Sequence, residues 1–574
     1  MTPISSLLRT PLPILAALLA VSPAPARSPV APQAYPRGMV SAADPRAAEA
    51  GAEMLRAGGS ATDAGIATML ALTVVEPQSS GIGGGGFYVE TGPGGTVETI
   101  DGRETAPAAA TPQWFTRDGK VMSFPDAVPG GTSVGVPGNI ALAAKAHKAN
   151  GRLPWARLFT PAIKLARQGF VVTPRLYAML KGSAATGAFV GDGRKLFYGA
   201  DSEPLPVGTR ITNPALAATM TAIATQGSKW FYSGQNRKAF VATVTTAARN
   251  PAPMTDGDVG GYRAKDREPV CGYYRQYRIC GMGPPSSGAI TVFATLKQLE
   301  RFDLTALGKD SPVAWHLIAE SMRLAYADRA RYSGDADFVR VPVAGMTDPD
   351  YLRQRSALIS PDRSMATVTA GVPRGAEALT LADPAPADEH GTSHFVAIDR
   401  RGNAVSYTST IESPFGSGLM TGGYFLNNEL TDFDMNPIYD GVPANNRVEG
   451  GKRPRSSMSP SLVFGPDGKL RLAVGAAGGA TIPAQVIRAV IGVIDWKLSA
   501  QEAVALPVLF APGTETIYVE KGSSLEAMIP ALQALGHASV IPHALPLKAN
   551  AIEVVDGHLM GAADPRSEGK AISE

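Results

Sequence analysis

Cysteine is nearly absent, with only Cys271 and Cys280 in the whole chain. Two cysteines are too few for a disulfide-built scaffold, and without companions they do not resemble a zinc site. The segment that holds them, VCGYYRQYRIC, reads as two short strands around a tight turn. That leaves a cross-strand disulfide and two unpaired thiols as equal alternatives. Histidine is scarce as well, and none of the seven falls in an H-E-x-x-H pattern, so a metalloprotease has no support. Neither sign of charge dominates. The formal net charge of +3 is small beside 53 basic and 50 acidic residues, and no long basic run interleaves with aromatics, which excludes a nucleic-acid partner. Long apolar runs are missing too, since nothing approaches the roughly 20 uninterrupted apolar residues of a membrane span.

What is present is ordinary apolar content in 574 residues, enough to bury a large core. Arg9 precedes an apolar run at 13–21, and Ala24 and Ala26 supply small residues at a signal-peptidase site. These features predict an export signal over 1–26 and a secreted, periplasmic protein without a membrane span. Asp44 and Pro45 read as N-cap and first residue of a helix that Gly58 and Gly59 stop. A second helix is expected over 62–75, followed by a glycine cluster and a strand at 87–90. The stretch 140–380 mixes helical segments such as 313–330 with Pro/Gly-rich loops and shows no repeat. From His394 onward, HFVAIDR, AVSYTST and SLVFGPDGKLRLAVGA read as two pairs of strands, with an apolar helix next at 484–496. Strands apolar on both faces suit sheets covered on each side.

Two motifs are decoys. Gly81-Ile82-Gly83-Gly84-Gly85-Gly86 satisfies G-x-G-x-x-G, but a helix precedes it and a strand follows, the reverse of the dinucleotide fingerprint. Close backbone packing near a site is the better reading. Gly131-Thr132-Ser133-Val134-Gly135 matches a nucleophile elbow, yet Pro137 and Gly138 break the helix that must follow the serine.

The segment HGTSHF at 390–395 places a small residue before a hydroxyl residue at the mouth of an expected strand. The Thr392 hydroxyl can approach the Gly391 carbonyl, displace its own nitrogen as an ester, and leave a free α-amine after hydrolysis. That amine, with an ordinary pKa of about 7.7–8.0, can take the hydroxyl proton and later return it to a leaving group.

Four further blocks accompany it: EPQSSGIGGGGF (76–87), DGRETAP (101–107), RPRSSMSP (453–460) and AAGGATI (476–482). Together with GTSHF (391–395), in order and spacing, they closely resemble the γ-glutamyltranspeptidase family of N-terminal-nucleophile hydrolases. The resemblance runs from Met39 to Arg566 and includes Pro284-Pro285-Ser286-Ser287-Gly288. It implies an α+β fold, an αββα four-layer sandwich with two stacked, largely antiparallel sheets between helical layers. It implies self-cleavage between Gly391 and Thr392 into a large subunit, 27–391, and a small catalytic subunit, 392–574, which stay together as one globular heterodimer.

By the same resemblance Thr392 is the nucleophile, Thr410 orients it, and Gly478 and Gly479 supply the oxyanion-hole N–H groups. Arg103 with Ser456 and Ser457 grips a glutamyl α-carboxylate. Glu429 and Asp432 hold the α-ammonium, and Glu412 stands where well-known members carry an asparagine. Without the resemblance, Arg103 reads as a surface ion pair with Asp101 or Glu104. The implied reaction takes a small γ-glutamyl amide such as glutathione and passes the acyl group to water or to an amino acid or peptide amine, with no metal or organic cofactor. Two rivals are an amidase related to glutaryl-cephalosporin acylases, which the three acids argue against, and a non-catalytic exported binding protein. Residues 433–455 correspond to a region that forms a lid in some members; here Tyr439 serves either a short lid or a solvated loop.

Overall fold

The computed structural model describes residues 34–92, 95–187, 189–383 and 391–574. The export signal read over 1–26 lies outside the described residues. Among those described, no helix is long and apolar enough to cross a membrane.

Helix α1 (Pro45–Arg56) begins as its sequence dictates: Asp44 caps it by accepting from the Arg46 N–H, Pro45 opens the first turn, and Gly58 turns the chain away with φ 84°. Helix α2 (Ala61–Val75) carries a full capping box, Ser60 with Asp63, and is buried along its whole length. A helix apolar on all sides belongs inside, and α2 lies between other helices and a sheet.

That sheet draws strands from both ends of the chain. The early strands are β1 (Met39–Ala42), β2 (Gly85–Thr91), β3 (Val97–Gly102) and β4 (Lys265–Arg267). Next in sequence come β5 (Val270–Tyr274) and β6 (Tyr277–Gly281), then β7 (Ser393–Ile398) and β8 (Ala404–Thr410). The remainder are β9 (Ser461–Phe464), β10 (Leu470–Ala477), β11 (Lys548–Val555), β12 (His558–Ala563) and β13 (Lys570–Ser573). The first sheet runs β13-β1-β7-β8-β2-β3-β4 and the second β12-β11-β10-β9-β6-β5, with every neighbouring pair antiparallel.

Strand periodicity divides the core. On β7, Phe395 and Ala397 join the cluster under α1 and α2, whereas Val396 and Ile398 join the cluster between the sheets; Tyr88 and its neighbours Phe87 and Val89 split in the same way on β2. Each fully buried large apolar side chain contributes about 1.5–3 kcal/mol, so the alternation glues three layers at once. The fourth layer consists of α3 (Gly288–Leu299), α4 (Pro312–Tyr332) and α5 (Ile482–Ile494) on the second sheet. The expected αββα sandwich is the observed one. Helix α5 starts two residues earlier than 484, because Pro483 sits comfortably in its first turn. Cys271 and Cys280 are directly opposed on β5 and β6 and form a disulfide.

Candidate active site

Thr392 stands one residue before β7, and both Gly391 and Thr392 have positive φ, 81° and 82°. For a β-branched residue this is a true outlier, holding about 1–3 kcal/mol of local strain beside the peptide that joins it to Gly391. A Cβ at Gly391 would collide with the Glu412 carbonyl oxygen, so the position admits only glycine.

The Thr392 N–H donates to the Ser79 carbonyl at 3.1 Å, and its hydroxyl donates to Thr410 Oγ1, also at 3.1 Å. Thr410 Oγ1 accepts a second bond from the Glu412 N–H at 2.8 Å, which holds it as an acceptor toward the Thr392 hydroxyl. Strands β7 and β8 are direct neighbours, with Ser393 opposite Ser409, which is why two threonines 18 residues apart meet. The glycine cluster makes that meeting possible from the other side: a Cβ at Gly84 would collide with the Thr410 carbonyl and one at Gly83 with that of Phe425. The close-packing reading of this cluster is correct.

The facing sheet brings Gly478 and Gly479 to the end of β10, with φ 125° and 57°. Their strand meets β7 at Gly475, where any Cβ would collide with the His394 ring. His394 is buried and bonded through Nδ1 to the Thr408 hydroxyl at 2.9 Å; burial pushes its pKa down to about 3, so the imidazole is neutral.

The other end of the site is charged. Arg103 is only 1% exposed, far from a surface ion pair. Its guanidinium donates to Glu429, to Asp432 and to the carbonyls of Pro454 (3.2 Å) and Arg455 (2.8 Å). Burial alone would lower the Arg103 pKa, but Glu429, Asp432 and Glu104 together raise it. Burial lifts the Glu429 carboxyl well above its ordinary range, with Glu104 and Glu412 adding repulsion. Glu104, also buried, is raised to about 7 by burial against the pull of Arg103. The basic and acidic residues expected to grip opposite ends of a ligand thus contact one another directly.

Ser456 and Ser457 follow the two carbonyls that hold Arg103. The Ser456 carbonyl accepts from the Ser287 N–H and hydroxyl at 2.8 and 2.7 Å, and Arg329 donates to the hydroxyls of both Ser287 (2.8 Å) and Ser457 (2.5 Å). Sequence reasoning missed Arg329, which sits inside α4 with no motif around it. Glu412, at φ 72°, accepts from the Ser413 hydroxyl and the Asn428 amide, and Asn428 neighbours Glu429. Thr410, Glu412, Asn428 and Glu429 therefore form a continuous path from nucleophile candidate to charged pocket. In 433–455 a small hairpin pairs Ile438–Tyr439 with Val442–Pro443; Tyr439 is half-buried, while Asn445, Asn446, Lys452, Arg453 and Arg455 anchor the segment inside. Ser133 is spent on the carbonyls of Val128 (2.6 Å) and Gly130 (3.1 Å), and no α-helix begins after it until Asn139.

Known proteins resemble the chain over nearly its full length. It is 37% identical over 553 residues to a glutathione hydrolase proenzyme of Bacillus subtilis (strain 168), covering 93% of this chain and 91% of that protein. It is 36% identical over 548 residues to the acylase ACY 1 proenzyme of Pseudomonas sp. (strain V22), covering 94% and 93%. The crystal structure of cephalosporin acylase from Bacillus halodurans superposes with TM-score 0.82 at 25% identity, covering 97% of this chain and 99% of that one. The sequence profile described as gamma-glutamyltranspeptidase matches residues 47–574, and the chain belongs to that family.

Proposed function

We propose that this protein is an exported γ-glutamyltransferase and hydrolase that cleaves itself at Gly391-Thr392 and carries the γ-glutamyl group of glutathione or a related amide on the Thr392 hydroxyl. The observation that carries this reading is the Thr392–Thr410 hydroxyl contact beside a strained glycine-threonine peptide. In the precursor, attack by Thr392 Oγ1 on the Gly391 carbonyl forms an ester as the C–N bond breaks, and water then releases the Gly391 carboxylate. The new α-amine, next to the Ser79 carbonyl, removes the hydroxyl proton for attack on a donor amide and delivers it to the departing amine. The N–H groups of Gly478 and Gly479 stabilise the oxyanion. Water or an acceptor amine completes the turnover.

The head pocket supports a zwitterionic donor. A substrate α-carboxylate and α-ammonium exchange with the Arg103–Glu429–Asp432 contacts and add no net charge to the pocket. A glutaryl group, lacking the ammonium, would take the arginine and strand two buried acids. Large and small subunits remain one body because β7 and β8 lie between strands of the large subunit, and β5–β6 of the large subunit extend a sheet of the small one. The disulfide and the N-terminal signal together support a periplasmic location.

Processing is the decisive test. Purified wild type should run as two fragments, the smaller beginning at Thr392 by N-terminal sequencing. Thr392→Ala should remain full length and inactive. An intact, inactive wild type would sink the proposal.

A further inference from the structure

Behind Thr392 lies a buried ion pair outside the chemistry described so far. Lys548 Nζ contacts Glu76 Oε2 at 3.0 Å, with both side chains at most 3% exposed. Lys548 also donates to Ser79 Oγ (3.2 Å) and Ser393 Oγ (3.3 Å), and Ser393 donates to Glu76 at 2.6 Å. Ser79 is the residue whose carbonyl accepts from the Thr392 N–H, and Ser393 is the next residue in the chain. The pair therefore grips both neighbours of the nucleophile's nitrogen. Through its backbone, Lys548 reaches the other half of the site: its N–H donates to Gln485 Oε1 (3.1 Å), whose amide donates to the Ala477 carbonyl (2.8 Å) and to Thr481 Oγ1 (3.1 Å). Thr481 in turn donates to the Gly478 carbonyl at 2.8 Å.

We propose that Lys548, held by Glu76, is a positioning residue that sets the Thr392 amine against the Gly478-Gly479 turn and, as a buried cation two hydrogen bonds away, favours that amine's neutral, proton-accepting form. The inference rests on Thr392 being the N-terminal nucleophile. A buried ion pair is weak evidence of a purely stabilising role, since replacing one by apolar residues of similar volume is often neutral or stabilising. The other charged groups around it are Arg175, from helix Pro174–Gly182, and Asp44, the cap of α1 that is paired with Arg46. Burial pushes Lys548 down to about 8 against the pull of Glu76, while Lys548 and Arg175 outweigh burial and keep Glu76 low, so the pair is ionised at neutral pH.

The test compares wild type, Lys548→Gln, Lys548→Arg and Ser393→Ala in processing, kcat, KM and the pH dependence of kcat with a γ-glutamyl anilide. Lys548→Gln should lower kcat at pH 7 about tenfold or more, leave KM within about twofold, and move the acidic limb of the profile up by about one unit, the change expected when a cation near an amine is lost. Lys548→Arg should restore most of both. Ser393→Ala, which cuts one link and leaves the ion pair, should lower kcat with KM unchanged, and it carries the test if Lys548→Gln does not fold. A processed Lys548→Gln protein with the wild-type profile overturns the inference, as does a kcat loss with an unmoved acidic limb that Lys548→Arg fails to rescue. A wild type that is itself unprocessed overturns the nucleophile reading as well, which separates the two failures.

Discussion

The two ends of the site are built from opposite materials. The groups that touch Thr392 are neutral, hydroxyls, backbone amides and glycines with an uncharged His394 next along the strand, and the Lys548–Glu76 ion pair stands one layer behind them. Around Arg103 they are ionisable, with Glu104, Glu429 and Asp432 packed against one buried guanidinium and burial holding the first two toward their protonated forms. The difference separates two tasks. Under the proposed function the nucleophile needs tight geometry and a proton acceptor, which backbone strain and neutral hydrogen bonds provide, and recognition of a zwitterionic head needs charge held out of water until a ligand replaces it.

Removing the charge is expected to be the more drastic change. Arg103→Met leaves Glu429 and Asp432 buried without their cation, a cost of about 3–5 kcal/mol in stability, together with loss of measurable donor binding. Thermal unfolding and a donor titration check both; an intact melting temperature would mean that the acids are hydrated or otherwise paired. At the neutral end, Thr410→Ala removes the acceptor of the Thr392 hydroxyl and should lower kcat about 10²-fold at nearly constant KM, with Thr410→Ser retaining most of it. A matched rise in KM would place Thr410 in donor binding instead.

Acid should act on the two ends with opposite sign. His394 has a folded pKa near 3, below its unfolded value of about 6.5, so its contribution is complete above 6.5 and shrinks as pH falls toward 3. By pH 5 the loss amounts to about 2 kcal/mol. Glu104 is raised to about 7, so its protonated form favours the folded state and that contribution is lost as pH rises from its unfolded value through 7. Melting temperatures of His394→Gln and Glu104→Gln between pH 8 and 5 should diverge from wild type in opposite directions; parallel curves would refute the division. The smallest effect is expected at Glu412, which already spends its carboxylate on Ser413 and Asn428. Glu412→Gln should change KM for a γ-glutamyl anilide by about threefold or less, because one hydrogen bond can be kept, while easing the preference over a glutaryl anilide.

Local chemistry made much of this legible. The Asp44 cap, Pro45 and Gly58 delimit α1; alternation along HFVAI and AVSYT marks β7 and β8; and the glycine cluster announces close backbone packing. The cysteine hairpin is visible in spacing, although only the register of β5 on β6 decides that the thiols are bridged. Strands β11, β12 and β13 escaped notice: β11 and β12 form a local hairpin around Asp556-Gly557 that the sequence does signal, whereas β13 is hidden because it pairs with β1 at the opposite end of the chain. Arg329 and Lys548 escaped for the same reason, as each gains meaning only from residues brought to it by the sheets.

The sequence by itself determined the nucleophile candidate, the glycine that must precede it, the family and the layered fold, because these follow from short motifs, their order along the chain and local periodicities. Tertiary structure alone decided that Arg103 pairs with the acids beside it, that Glu412 is tied to Asn428, and that a lysine from β11 braces the segment around Thr392. Burial sets the strength of those charges, and burial belongs to the assembled layers rather than to any single stretch of chain.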